Sequence, residues 1–207
     1  MEDIRRKLGF WQCIVVDSVG ASGGLCLLWM EEVTIHACSF SRNHFNVDAE
    51  ILGLMGKWRL TGFYGWPVTS DRYKSWDFLE KLGQCNSLMW LCLWDFNEII
   101  WGHEKVGGNP RSVKRQMMGF RHAVDVCGLK DLGFSSPKFT CWHNWSAEIR
   151  IRLDCVLATK EWWECFHGSR VVNLNPSKSD HIPIRLSNFC GMTNHKRKNW
   201  RFVFEEV

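Results

Sequence analysis

The chain has 207 residues, 45% of them hydrophobic and 23% charged, the composition of one globular domain rather than a disordered or fibrous chain. Its 26 basic and 22 acidic residues leave a net charge of +4, which permits an anionic partner without demanding one. The longest apolar run, residues 88–94, falls far short of the roughly 18 that a spanning helix needs. MEDIRRKLGF lacks the apolar core of a secretory signal, so we expect an intracellular protein, nuclear or cytoplasmic, with no membrane partner.

Strand-like segments outnumber helical ones. Residues 13–17 are a short β-branched run, Ser22-Gly23-Gly24 is a turn, and residues 25–29 follow as a second strand. Residues 33–39 and 45–51 read as another pair, with Asn43 and His44 at the junction. Residues 57–64 are aromatic and apolar and end at the Gly65-Trp66-Pro67 turn. A helix capped by Ser70 is expected to run to about Cys85, with Trp76, Leu79 and Leu82 on one side. The continuous apolar run LMWLCLW (88–94) suits a strand covered on both faces.

Val113, Met117, Phe120, Val124 and Cys127 recur at helical spacing and form one apolar stripe, which Gly128 stops. The other side of that helix carries Arg111, Lys114, Arg115 and Arg121. A solvated basic face is the favoured reading over a phosphate-tracking patch. Residues 130–132 and 139–142 are short strands around a Ser-Ser-Pro turn. Residues 149–157 alternate apolar with polar and read as a single strand with one apolar face. Residues 171–174 and 182–186 complete the set. The irregular mixture predicts sheet packed on sheet with outer helices, not a regular βαβ array.

None of the ten Cys is spaced as C-x-x-C, which leaves zinc-ribbon and thioredoxin-like sites without support. Most lie in apolar runs as small hydrophobes. The Asn144-Trp145-Ser146 pattern is expected to stay unmodified in a protein that is not exported. The 13 Trp are expected as core filler. Trp66, beside Tyr64, stands between loop packing and base stacking.

Three acids carry the candidate chemistry. Asp95 emerges at the end of the apolar strand, where α/β proteins place active groups, and Asn97 lies two residues on. Asp154 is on the polar face of its strand beside Arg152, and Asp180-His181 opens the last strand. Singly, each has a bland reading: an Asx turn at Asp95, an Asp154–Arg152 pair, a loop acid at Asp180.

The order of the set is more specific. SGGLCLLW (22–29), WRLTGFYGWP (58–67), WDFNEII (94–100), EKVGGNPR (104–111), GLKDLGFSSPKFTCWHN (128–144), RLD (152–154) and SDHIPI (179–184) span nearly the whole chain. In this order they resemble the endonuclease/exonuclease/phosphatase superfamily, and most closely the endonuclease region of plant LINE-type (non-LTR) retrotransposons. The resemblance implies an α/β fold, a four-layer sandwich of two mixed β-sheets flanked by helices (DNase I-like), over residues 1–190. Residues 191–207 would be a basic tail and the start of a connector towards reverse transcriptase, as NWRFVFEE (199–206) resembles. It also implies a Mg²⁺- or Mn²⁺-dependent phosphodiesterase acting on DNA, with RNA left open. Asp95 would deprotonate the attacking water and Asn97 would hold a phosphate oxygen. Asp154 would brace His181 against the phosphate, Tyr64 would hold the phosphate near the attack line, and Asp180 would bind the metal. No small-molecule cofactor is implied.

The chain also departs from that pattern. Family members begin with an Asn-bearing strand and then a Glu-bearing strand whose carboxylate binds the metal. MEDIRRKLGF matches the helix after that Glu, so the first strands are expected to be lacking. Trp94 stands where the family has Gly before Asp-x-Asn, and its ring is expected to crowd the cleft. Weak or absent turnover is therefore expected. The alternative is a non-catalytic nucleic-acid-binding module using the basic helix face and His195-Lys196-Arg197-Lys198, or a functionless retroelement remnant.

Overall fold

The computed structural model describes residues 1–18, 24–53, 56–85, 87–108, 113–143, 149–175, 179–188 and 200–204. The Ser22-Gly23 part of the first turn, Arg111, Asn144-Trp145-Ser146 and the 195–198 basic run lie outside the described residues. The chain runs α1 (Glu2–Leu8), β1 (Gln12–Val16), β2 (Leu25–Trp29), β3 (Val33–Ser41), β4 (His44–Ile51), β5 (Trp58–Phe63), α2 (Tyr73–Gly83) and β6 (Trp90–Asp95). It continues through β7 (Lys105–Val106), α3 (Val113–Val126), β8 (Leu129–Asp131), β9 (Cys141–His143), β10 (Ile149–Ile151), β11 (Asp154–Thr159) and α4 (Lys160–Cys165). β12 (Arg170–Asn173), β13 (Ile184–Asn188) and β14 (Trp200–Phe204) close it.

A six-stranded sheet of order β3-β4-β5-β6-β11-β8 forms the centre. It is mixed, because β5 and β6 run parallel while the other pairs are antiparallel. The parallel pair is possible because α2 supplies the crossover between its strands.

Both faces of this sheet are covered, which is why residues 88–94 read as unbroken apolar sequence. Leu91 and Leu93 of β6, Val156 and Ala158 of β11, and Phe45, Val47 and Ala49 of β4 pack with Leu25 and Leu27 of β2, Val171 of β12, and Ile184 and Leu186 of β13. Trp90, Cys92, Cys155 and Leu157 face the other way, onto Leu79 and Leu82 of α2 and Phe120, Ala123 and Val124 of α3. Each buried Val, Leu, Ile or Phe among them contributes roughly 1.5–3 kcal/mol. The result is sheet on sheet with outer helices, as expected.

The second sheet layer comes as two pieces, β1-β2 and β12-β13-β14. Trp200–Phe204, within the segment read as a connector, pairs antiparallel with Ile184–Asn188. A short sheet β7-β10-β9 stands apart.

Several expectations are corrected. Ser70 does not cap α2; it lies in a 3-10 turn, Thr69–Asp71, and α2 begins at Tyr73. Residues 149–157 are two strands in two sheets, β10 and β11, with a break at Arg152-Leu153. The strand expected at 139–142 is Cys141–His143. The short helix α4 was not expected; its Trp162 is buried against Trp58 and Phe166. Trp58, Trp90, Trp94 and Trp162 fill the core, whereas Trp11, Trp101 and Trp163 are exposed.

Gly128 does stop α3, in the left-handed conformation at φ 63°. Among the described residues no helix is long and apolar enough to cross a membrane, and no disulfide joins the nine Cys.

Candidate active site

The parallel strands β5 and β6 end at the same edge of the sheet. Tyr64 follows β5, and Asp95 is the last residue of β6. A tight contact joins the two loops: Gly65 N donates to Asp95 O at 2.8 Å. A Cβ at residue 65 would run into the Phe96 carbonyl, so only glycine allows this approach. Asn43, which is buried, locks Tyr64 from the other side, donating through Nδ2 to Tyr64 O at 2.9 Å and accepting from Tyr64 N at 2.8 Å.

Asp95 is 2% exposed, and its carboxylate is held by its own turn. Oδ1 accepts from Asn97 N at 2.7 Å and Oδ2 from Asn97 Nδ2 at 2.9 Å. Asn97 Nδ2 also donates to Gly65 O at 3.0 Å. Both amide hydrogens of Asn97 are thus engaged inside the protein. In this arrangement Asn97 braces Asp95 rather than offering a donor to a phosphate. The bland Asx-turn reading of this segment describes its local geometry correctly.

Asp154 opens β11 and lies directly across from Asp95 in the β6–β11 register. Thr140 Oγ1 accepts from Leu153 N and Asp154 N at 3.0 and 3.1 Å, which fixes the chain where it passes from β10 to β11. The expected alternative, an Asp154–Arg152 pair, is not formed. Arg152 instead reaches Glu104 at 2.5 Å and Asp131 at 2.7 and 2.9 Å, on the far side of the break.

Asp154 Oδ2 takes His181 Nδ1 at 2.9 Å. The loop bearing His181 is clasped onto β9 by Trp142 N to Asp180 O and Ile182 N to Thr140 O. Burial opposes a charge on the ring. Hydrogen bonds with Asp154 and Cys141, and the Asp154 and Asp95 charges, outweigh it and push the His181 pKa up to about 12. His181 is therefore an imidazolium at neutral pH, flanked by two carboxylates that come from neighbouring strands. Asp180 is exposed beside it.

Tyr64, Asp95, Asn97, Asp154, Asp180 and His181, scattered over more than a hundred positions, are thus brought to one edge of the six-stranded sheet. Two expectations fail here. The Trp94 ring does not lie in a cleft: the residue takes φ 115° and buries its ring between the sheets, edge-on to Phe45 at 6.3 Å. Holding a bulky residue at positive φ costs about 1–3 kcal/mol, offset by that burial. Arg121 is not part of a free basic face: its Nε donates to Ile100 O at 2.6 Å and its guanidinium lies 4.3 Å over Trp101. Lys114 and Arg115 remain exposed. Trp66 is half-buried, its backbone N–H given to Ser75 Oγ at 2.8 Å and its ring against Phe78.

Glu98 and Cys141 were not singled out from sequence. Glu98 is buried and pairs with Arg72 at 3.0 Å, pinning the loop after Trp66 to the Asp95 turn. The WDFNEII token contained Glu98 without marking it as buried. Cys141 gave no signal at all, since its partners are distant in sequence.

The divalent cation implied by the sequence resemblance finds a mixed donor set. Among the described residues the one cluster able to ligate a metal is Cys141, Asp180 and His181, with ligand atoms all within 4.8 Å of one another. Mg²⁺ requires near-octahedral oxygen coordination. One carboxylate with a thiol and an imidazole does not meet that demand.

No family profile matches this chain, and neither does any curated protein. Solved structures do. The endonuclease domain of TRAS1, a telomere-specific non-LTR retrotransposon, superposes with a TM-score of 0.58 at 16% identity, covering 85% of this chain and 79% of that one. A truncated Caenorhabditis elegans TDP2 matches with a TM-score of 0.56 at 14% identity, over 88% of this chain and 77% of that one. An endonuclease/exonuclease/phosphatase family protein from Bacteroides thetaiotaomicron gives 0.56 at 13% identity, over 88% and 74%. At such identities the likeness is one of fold, and the fold is the mixed α/β, DNase I-like one.

Proposed function

We propose that this chain is a phosphodiester hydrolase domain, a DNA endonuclease of LINE-type retrotransposon origin with weak turnover. The observation that carries the proposal is the Asp154–His181 pair, 2.9 Å long and in register with the buried Asp95 across β6 and β11. A phosphodiester is an anion that repels nucleophiles. An imidazolium fixed by a carboxylate supplies the compensating positive charge and a directed donor. Asp95, poised by the Asn97 amide, is the carboxylate that would take the proton of the attacking water. Asn97 acts in this reading as a positioning residue. Tyr64, held by Asn43 at the end of β5, would in this reading steady the phosphate. The fold shared with a retrotransposon endonuclease domain supports the substrate class. The LINE-like sequence tokens favour DNA over RNA and a reverse transcriptase domain as partner in the parent element.

Weak turnover follows from the donor set. The Mg²⁺ or Mn²⁺ of the sequence resemblance would meet Asp180 as the single carboxylate of the metal-ligating cluster.

The test is nicking of supercoiled plasmid with Mg²⁺ or Mn²⁺. We expect slow cleavage that is lost in Asp95→Ala and in His181→Ala. Cleavage unchanged by both substitutions overturns the assignment. A second reading, binding without cleavage, is favoured by one observation, the exposed Lys114 and Arg115 on α3. It predicts an affinity that falls steeply as salt rises, with no nicked product at any metal concentration.

A further inference from the structure

The mismatch with Mg²⁺ has a positive side. We infer that Cys141, His181 and Asp180 form a binding site for a thiophilic divalent cation of the zinc class, placed so that its occupancy removes His181 from the phosphate pocket. The cation site stands on the donor cluster itself; the loss of His181 as a phosphate contact rests on the nuclease reading.

The geometry is close to what such a cation takes. Tetrahedral zinc, with Zn–S about 2.3 Å and Zn–N or Zn–O about 2.0–2.2 Å, holds its ligand atoms roughly 3.3–3.7 Å apart. Three atoms already within 4.8 Å of one another need only a small contraction. The ligands rest on paired backbone: Cys141 and His181 are partners in an antiparallel bridge, flanked by hydrogen bonds on both sides. That fixes the distance between sulfur and ring before any cation arrives.

The ring already carries the outer partner that a metal-bound imidazole takes. Asp154 occupies Nδ1 at 2.9 Å, leaving Nε2 as the second nitrogen. A carboxylate on the far nitrogen is the usual outer partner of a zinc-bound histidine, where it fixes the tautomer and raises basicity. Cys141 is fully buried and Asp180 is exposed. The cation would therefore sit between a buried thiolate and an exposed carboxylate, with its fourth position open to water. Binding displaces the Nε2 proton of the His181 imidazolium and the proton of the Cys141 thiol.

Zinc-class selectivity follows from ligand softness. A thiolate and an imidazole suit Zn²⁺ and Co²⁺, whereas Mg²⁺ gains only the Asp180 oxygen. On the proposed nuclease, Zn²⁺ would act as an inhibitor that Mg²⁺ does not relieve.

The experiment is titration of the full chain with Co²⁺ under reducing conditions, followed by the thiolate-to-cobalt charge-transfer absorption and by thermal unfolding. One equivalent of Co²⁺ is expected to produce that absorption, Zn²⁺ to abolish it, and a thousandfold excess of Mg²⁺ to leave it intact. Zn²⁺ at about a hundred times its Kd should raise Tm by roughly 5–10 °C. Cys141→Ser should remove the absorption. Asp180→Asn, at an exposed position that leaves the core untouched, should weaken cobalt binding at least tenfold. Absorption that survives both substitutions comes from other thiols and overturns the site, as does its loss on adding Mg²⁺. Loss of plasmid nicking in Asp95→Ala bears on the nuclease reading alone, because Asp95 is not a ligand here.

Discussion

Two buried charge clusters lie within three residues of each other in sequence, at Arg152 and at Asp154, and they do opposite work. Arg152 is 1% exposed and takes both Glu104 and Asp131, with the Phe134 ring 4.6 Å beneath it. Its neighbours are consumed by the pairing, and Glu104 in turn accepts from the Ile100 and Trp101 backbone N–H groups at 2.7 and 2.9 Å. The cluster is closed: it ties β10, β8 and the turn before β7 together. Asp154 pairs instead with a histidine at the sheet edge, beside Asp95 and the exposed Asp180. That cluster is open, with a charged ring part-way to solvent. The difference teaches that burial of charge alone does not mark a functional site. What marks it is a polar group whose partners hold it without using it up.

Arg152→Ala should break the closed cluster most severely. It leaves the buried Glu104 and half-buried Asp131 carboxylates without their cation, a loss of about 3–5 kcal/mol, read as a lower midpoint in urea or thermal unfolding. A loss below about 1 kcal/mol would mean that the cluster is solvated and the contrast is false.

His44 extends the comparison to a closed cluster without charge. Its Nδ1 and Nε2 meet Ser41 Oγ at 2.8 Å and Ser39 Oγ at 3.0 Å. Burial, and then the Arg59 charge, hold its pKa down to about 4. A base with a depressed pKa binds fewer protons folded than unfolded, so stability falls as pH drops from 6.5 through about 4. The loss is roughly 3 kcal/mol at about 1.4 kcal/mol per pH unit. Unfolding free energies across pH 7 to 4 should show this step in wild type and lose it in His44→Gln. A step of equal size in the variant would assign the acid sensitivity elsewhere.

Asp154→Asn opens the open cluster further. Replacing the charge-assisted bond should cost about 1.5–3 kcal/mol, less than Arg152→Ala, while removing nicking altogether. The His181 pKa is raised in the folded state, so its stabilisation is full below pH 6.5 and declines as pH rises through about 12. The gap between wild type and Asp154→Asn should therefore be widest below pH 6.5 and close at high pH. An NMR titration of His181 that is unmoved by the substitution would show that Asp154 does not hold the ring.

Trp94→Gly is the smallest expected effect. It loses about 3–5 kcal/mol of aromatic burial and regains about 1–3 kcal/mol of backbone strain. The net loss is about 2 kcal/mol, with nicking no faster than wild type. Faster nicking would mean that the ring obstructs the site despite lying between the sheets.

The strands were largely readable because period and composition report burial directly. β1 to β6 and the α3 stripe follow from local sequence. The double cover of β6 was visible in its unbroken apolar run. The division of residues 149–157 was not visible, because Arg152 satisfies the alternation of a surface strand. Only Glu104 and Asp131, 48 and 21 residues away, reveal it as a core residue. Arg121 misled for the same reason: its carbonyl and aromatic partners lie on another loop. α4 is six residues long, too short for a periodic signal.

The sequence by itself determined the α/β class, the order of the elements and the set of polar residues that ends strands, since these depend on neighbours along the chain. Tertiary structure alone decided which charge meets which. It turned the Asn97 amide inward onto Asp95, sent Arg152 away from Asp154, and set the Cys141 sulfur beside the His181 ring. Pair electrostatics and ligand geometry act over a few ångströms of space, and the fold sets those distances through contacts that no local window of sequence contains.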